Sequence, residues 1–236
     1  MNFDDFIQSY QCFREILMDE KNSTNESTTH KLLAAACEVF AENGFKNTTV
    51  RDICSRAEVN VAAVNYHFGN KEKLYEAVWE YSNKMAGKNR INELELAKNS
   101  APEKRLRFFI KSLLYNILNQ DRPEFDFRIV AHEMIEPTGA FDKIVDRMIR
   151  PGFLFLRELV SEILGEGVSE EKVKRCSLSI IGQCLYYRFA NPVIRQIFPE
   201  QKFDEAGLEK LTDHIAAFSL AALKQIQTEI ENEEIK

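Results

Sequence analysis

Apolar residues recur three and four positions apart along almost the whole of this chain, and few residues interrupt them: nine Gly and six Pro in 236 positions. That spacing is the period of one face of an α-helix, and Leu, Ala, Glu and Lys, all good helix formers, fill the positions between. The expected fold class is therefore all-α. With 44% hydrophobic residues the chain has enough apolar mass for a sizeable core and room for two small domains.

The order of segments is read from the breaks in that periodicity. Residues 3–18 place Phe6, Tyr10, Phe13 and Leu17 on one face, and a polar stretch follows, so residues 1–27 are expected to be an amphipathic helix on a linker. Thr28 or Thr29 then caps a helix with Leu32, Leu33, Ala36, Val39 and Phe40 on its apolar face, ending where Gly44 supplies a C-terminal cap. A second cap, Thr48 or Thr49, opens a short helix with Val50, Ile53, Cys54 and Ala57. A turn at 58–60 leads into a third helix over 61–68. Helix, short helix, tight turn and short helix together form the layout of a helix-turn-helix. A long helix starts at Lys71, and further helices are expected at 102–119, 123–136, 141–164 with a kink at Pro151, 170–190 and 204–230. Asn191-Pro192 and Phe198-Pro199 stand as punctuation between the last two. The division that follows is 28–75 for the helix-turn-helix unit and 76–236 for a helical bundle.

The net charge of −6 argues against a protein that coats nucleic acid without specificity. It is unevenly spread. Residues 1–27 hold two basic and six acidic side chains, residues 28–90 hold nine and seven, and the only net-positive stretch is thus the one with the helix-turn-helix layout. Five cysteines, Cys12, Cys37, Cys54, Cys176 and Cys184, form no Cys-x-x-Cys pair and read as reduced core residues of a cytoplasmic protein. No apolar run is long enough to span a membrane, and Asp4 and Asp5 stand where a signal peptide carries positive charge, so no membrane partner is expected.

In the third helix, Val61, Val64 and Phe68 are spaced to face the core, which leaves Ala62, Ala63, Asn65, Tyr66 and His67 outward. A solvated helix face normally carries Glu and Lys. This one carries small residues that permit close approach, an amide able to bond adenine bidentately, and groups that can bond phosphate. Arg51, just after Thr49 in the second helix, and Lys71 at the start of the long helix are placed to clamp backbone phosphates, with helix N-termini adding partial positive charge. The plainer reading is a three-helix packing unit that binds nothing.

The runs Phe45-Lys46-Asn47-Thr48-Thr49-Val50-Arg51-Asp52-Ile53 and Ala57-Glu58-Val59-Asn60-Val61-Ala62-Ala63-Val64-Asn65-Tyr66-His67-Phe68-Gly69-Asn70-Lys71-Glu72-Lys73-Leu74 resemble the DNA-binding domain of the tetracycline-repressor (TetR) family. The resemblance covers about residues 28–75 and implies that Thr49, Arg51, Ala62, Ala63, Asn65, Tyr66, His67 and Lys71 occupy DNA-contacting positions. Two departures stand out: Glu58 where the family usually has Gly in a turn that favours a left-handed backbone, and Asn65 where Tyr is common. The run 60–65, the segment His132-Glu133-Met134-Ile135-Glu136-Pro137-Thr138 and the later Ile149-Arg150-Pro151 resemble the CecR-like subgroup.

In that family the C-terminal helical bundle dimerises through its last two long helices and holds a small-molecule pocket. Ser177, Ser179, Gly182, Ala216 and Ala217 would let such helices approach closely, giving a homodimer. Phe108, Phe109, Leu113, Phe127, His132, Met134, Phe153, Phe155, Cys184, Tyr187 and Arg188 offer the mixed aromatic and polar lining of a ligand cavity, although each is equally an ordinary core residue. His132 and Glu136 lie one turn apart, a conceivable metal pair, yet the pattern lacks the second His of zinc proteases and a third ligand is not evident. No phosphate loop or nucleophile motif is present. The expectation is a non-enzyme without cofactor or metal: a regulator, released as a repressor from palindromic double-stranded operator DNA by a small-molecule effector. A helical interaction module with a vestigial helix-turn-helix is the alternative.

Overall fold

The computed structural model describes residues 25–87, 100–118 and 125–234, and the amphipathic segment expected at 3–18 lies outside them. Among the described residues every regular element is a helix. They are α1 (Asn25–Asn47), α2 (Val50–Ala57), α3 (Val61–His67), α4 (Lys71–Gly87), α5 (Pro102–Leu118), α6 (Phe125–Ile135), α7 (Phe141–Ile144), a π turn (Val145–Ile149), α8 (Arg150–Leu164), α9 (Glu170–Phe189), α10 (Asn191–Ile197) and α11 (Glu205–Glu234).

Three local differences from the sequence reading have simple causes. α1 begins at Asn25, so Thr28 and Thr29 lie inside its first turns rather than capping it. The Asn191-Pro192 pair starts α10 instead of breaking the chain, because Pro in the first helical turn lacks only an N–H that would have no helical partner. At Pro151 the expected interruption of 141–164 takes the form of a π turn, where the ladder is widened just before the residue that cannot donate to it.

The helices pack into two compact units. One, the reading unit, combines residues 25–87 with residues 125–149, although the sequence divides the chain at 75 and assigns 125–149 to the second domain. Its core is built from Leu32, Ala36, Phe40, Ile53, Val64, Leu74, Tyr75 and Val78, joined by Ile129 of α6 and Ile144 of α7. Phe40, Phe45 and Tyr75 form an aromatic knot, with ring centroids 4.7 Å apart for Phe40 and Tyr75 and 4.9 Å for Phe45 and Tyr75.

The other unit, the bundle, packs α5, α8, α9 and α11 around Leu106, Ile110, Leu114, Leu156, Val160, Ile180, Cys184, Leu211 and Ile215. Ion pairs lace its surface: Arg107 of α5 binds Asp213 (2.7 Å) and Glu209 of α11, and Lys111 also reaches Glu209 (3.1 Å). Within the described residues the chain passes from one unit to the other at residues 149 and 150, where the π turn meets α8.

Candidate nucleic-acid interface

The site is assembled around the turn from α1 into α2. α1 is interrupted at Gly44, whose φ of 71° is open to glycine and strained for other residues. Thr48 closes this turn from inside: its buried hydroxyl donates to the carbonyls of Gly44 (2.7 Å) and Val39 (3.3 Å). Thr49, the next residue, is the cap of α2. Its hydroxyl accepts from Asp52 N (3.2 Å) while the Asp52 carboxylate accepts from Thr49 N (2.9 Å) and from the hydroxyl (2.7 Å). These hydrogen bonds from Thr49 hold the Asp52 carboxyl below its ordinary range.

α2 ends at Glu58 with φ 56° and ψ 42°, the left-handed conformation expected at this departure from glycine. Asn60 then caps α3, its side-chain oxygen accepting from Ala62 N (2.8 Å). Between two arginines of α2 the surroundings discriminate sharply. Arg56 is pinned by Glu38 (3.1 Å) and Glu42 (2.9 Å) of α1, whereas Arg51 is exposed and has no ion-pair partner among the described residues.

The buried edge of α3 is narrower than its spacing predicts. Val64 is fully buried and Phe68 half-buried, but Val61 is 40% exposed and is not the core residue that its spacing implies. Ala63, expected outward, is half-buried against the core instead. A seven-residue helix has only two turns, and Val61 stands at its first position, where three- and four-residue spacing has little to fix a face. The exposed face is therefore Val61, Ala62, Asn65 and Tyr66, with Tyr66 76% exposed. His67 is half-buried and its Nδ1 lies 3.2 Å from the Thr29 hydroxyl of α1.

Lys71 differs most from a plain surface cation. Its ammonium donates to the backbone carbonyls of Phe45 (2.8 Å) and Thr48 (2.9 Å) and lies 4.2 Å from the centre of the Phe45 ring. Lys71 therefore ties α4 to the α1–α2 turn, and one N–H of its three remains for another acceptor.

The residues expected to line one ligand pocket fall into two cores. Phe109, Phe155 and Cys184 are buried in the bundle, with Phe109 and Phe155 rings 6.0 Å apart, and burial pushes the Cys184 thiol up to about 12. Leu113 and Tyr187 pack against that core, and Phe108, Phe153 and Arg188 are half-buried in the same unit. His132 and Met134, by contrast, belong to α6 of the reading unit, as does the backbone of Phe127; Met134 is exposed there. Spacing along helices could not show that α6 packs apart from α5. Glu136 pairs with Lys46 (3.3 Å) rather than joining His132. An open surface depression lined by Lys111, Asp204, Glu205, Ala206 and Glu209 includes none of the expected pocket residues.

Two family descriptions match the chain: "Bacterial regulatory proteins, tetR family" over residues 32–78, and "HTH-type transcriptional dual regulator CecR, C-terminal domain" over 102–223. The dual regulator CecR of Shigella flexneri is 26% identical over 198 residues, covering 80% of this chain and 88% of that protein. Among solved structures, AibR in complex with isovaleryl coenzyme A and operator DNA superimposes with a TM-score of 0.59 at 19% identity, covering 81% of this chain and 97% of that one. The hemolysin II transcriptional regulator HlyIIR does so with a TM-score of 0.55 at 23% identity, covering 81% and 98%. Among the described residues no helix is long and apolar enough to cross a membrane.

Proposed function

Because the chain belongs to the tetR family of bacterial regulatory proteins, with a C-terminal domain of the CecR type, we propose that it works as a homodimeric switch on palindromic operator DNA. The chain is a DNA-binding transcriptional regulator, and what remains to be assigned is which groups read the DNA, how two chains associate and what releases them.

One observation carries the DNA assignment: the exposed face of α3 has Val61, Ala62, Asn65 and Tyr66 and no acidic or long basic side chain. Val61 and Ala62 can meet thymine methyls, Asn65 can bond an adenine edge, and Tyr66 can reach a phosphate. Thr49 and Arg51 at the start of α2 face the backbone on one side of that helix. His67 and the remaining N–H of Lys71 serve as secondary backbone contacts, and Ala63 keeps α3 close to the core.

Dimerisation is supported by an apolar stripe on the bundle, where Leu178, Tyr186 and Phe189 of α9 and Phe218 of α11 are at least half exposed. A dimer through these helices sets two α3 helices about 34 Å apart, one turn of DNA. The effector site belongs to the bundle around Phe109, Phe155, Cys184 and Tyr187. The effector acts by favouring the arrangement that does not bind DNA, with a coupling of about 1–3 kcal/mol. The AibR complex, with its acyl-coenzyme A and its operator, supports an effector and DNA acting on one such fold.

Salt titration of DNA binding tests the contacts. Arg51→Ala should reduce the slope of log affinity against log salt by about 0.9 per half-site, on specific and non-specific duplexes alike. An unchanged slope removes Arg51 from the interface. A chain that shifts no duplex from its own upstream region would favour a helical interaction module.

A further inference from the structure

The most deeply buried charged side chain of the described residues does not lie in the DNA face or in the bundle. Glu133, near the end of α6, is 1% exposed, and both its oxygens are occupied. Tyr75 of α4 donates its hydroxyl to Oε1 (2.8 Å), the Thr138 hydroxyl donates to the same oxygen (2.8 Å), and Thr138 N donates to Oε2 (2.9 Å). Burial and the bond to Glu133 hold the Tyr75 hydroxyl well above its ordinary pKa, so it stays a donor.

Tyr75 lies one turn beyond Lys71 on α4, and Lys71 holds the carbonyls of Phe45 and Thr48 at the entry to α2. α4 therefore carries two ties one turn apart, Tyr75 to Glu133 and Lys71 to the turn that aims α2 and Arg51, and the Phe45 ring packs against both, 4.9 Å from the Tyr75 ring and 4.2 Å from the Lys71 ammonium. Two surface pairs hold neighbouring segments of the same unit, Lys46 of α1 with Glu136 just past α6 (3.3 Å) and Lys143 of α7 with Glu76 of α4 (2.6 Å). On the other side, a Cβ at Gly44 would stand 3.1 Å from the His132 ring, so α6 also abuts the kink in α1.

We infer that Glu133 is a positioning residue for DNA reading: it fixes α4 against α6, and thereby fixes the α1–α2 turn from which α2 and α3 are presented. The residues around it, 125–149, are continuous in sequence with bundle helices on both sides, through 119–124 and through the π turn into α8. A buried carboxylate holding three donors does not stretch gradually, since parting it from Tyr75 leaves charge in a dry core. This inference rests on the DNA-reading assignment above.

The test uses a duplex enriched by the parent chain from a random library, and a scrambled duplex of the same length. The ratio of the two affinities is measured for the parent, Tyr75→Phe, Glu133→Gln and the double variant. Phe keeps the ring packed on Phe40 and Phe45, and Gln keeps the size of Glu while presenting an N–H₂ to donors. Emission from Trp79, the sole tryptophan and one turn beyond Tyr75 in the same core, verifies that the core stays closed. If it opens in either variant, Thr138→Val is measured instead. The positioning role predicts that the ratio falls about tenfold in each single variant, and no further in the double variant. Ratios within about twofold of the parent, with Trp79 still buried, overturn the role of Glu133. A parent chain with no preference for the enriched duplex would instead fail the DNA-reading assignment.

Discussion

In the reading unit the buried Glu133 bonds across from α6 to α4, whereas in the bundle two of the three buried polar side chains among the described residues bond back to their own helix. Thr48, in the turn after α1, closes the kink through the carbonyls of Gly44 and Val39. In the bundle, Ser177 donates to Val173 O (2.9 Å) and Thr212 to Leu208 O (2.8 Å), one turn back in each case; only Ser219 meets another helix, through Gln183. The difference is one of directionality. Hydrogen bonds between elements fix register and angle, while apolar contacts between helices tolerate small shifts. A unit that must present α2 and α3 at a set angle is built with the first kind. The bundle, where we propose the effector binds, is built mainly with the second.

Truncating one core at a time should break that comparison most severely. Phe40→Ala is expected to cost about 3–5 kcal/mol in the reading unit, and Leu156→Ala about 2–5 kcal/mol in the bundle. Hydrogen exchange resolved by peptide should show Phe40→Ala deprotecting both 25–87 and 125–149 ahead of 150–234. Simultaneous loss of protection in all three segments would mean that the two cores melt as one.

Association is the next largest effect. Phe218→Asp places a charge on the exposed stripe of α11, and losing a central aromatic contact commonly weakens association by about 2 kcal/mol or more, roughly thirtyfold. Sedimentation should show monomer at concentrations where the parent is dimeric, with the melting of the reading unit unmoved. An unchanged mass would move the interface away from α11.

The smallest effect sharpens the reading unit alone. A non-glycine residue in the left-handed region carries about 1–2 kcal/mol of strain, part of which the extra freedom of glycine in the unfolded chain offsets. Glu58→Gly should therefore stabilise the unit by about 0.5–1 kcal/mol, raising its melting temperature by a few degrees. Destabilisation by this change would show that the Glu58 side chain contributes something its backbone geometry does not reveal.

Features that depend on a few neighbouring residues were legible in the sequence. A cap at Thr48 or Thr49 and the interruption at Pro151 follow from local rules of capping and proline chemistry, the long α9 and α11 from apolar periodicity, and the left-handed Glu58 from the resemblance to a family with Gly at that turn. Features that depend on distant partners were not. The burial of Glu133 leaves no local signal, because Tyr75, whose hydroxyl it binds, lies 58 positions away. Lys71 reads as a clamp for a backbone phosphate, since nothing in its neighbourhood in sequence shows that Phe45 and Thr48 turn their carbonyls toward it. Val61 illustrates a third cause. Periodicity assigns a face reliably over several turns, but α3 has two, so what covers its first residue is decided by the packing of α2 rather than by spacing.

The central claim is that the exposed edge of α3 reads base pairs, and Asn65 is its one side chain able to make a bidentate contact with a base. The most direct measurement is a titration of the parent chain and Asn65→Ala against the enriched duplex and every single-base change within one half-site. The account predicts that the parent discriminates at one A·T pair by about 1–3 kcal/mol, and that Asn65→Ala loses discrimination at that pair while keeping it at the others. Discrimination retained by Asn65→Ala at every position of the half-site would contradict it.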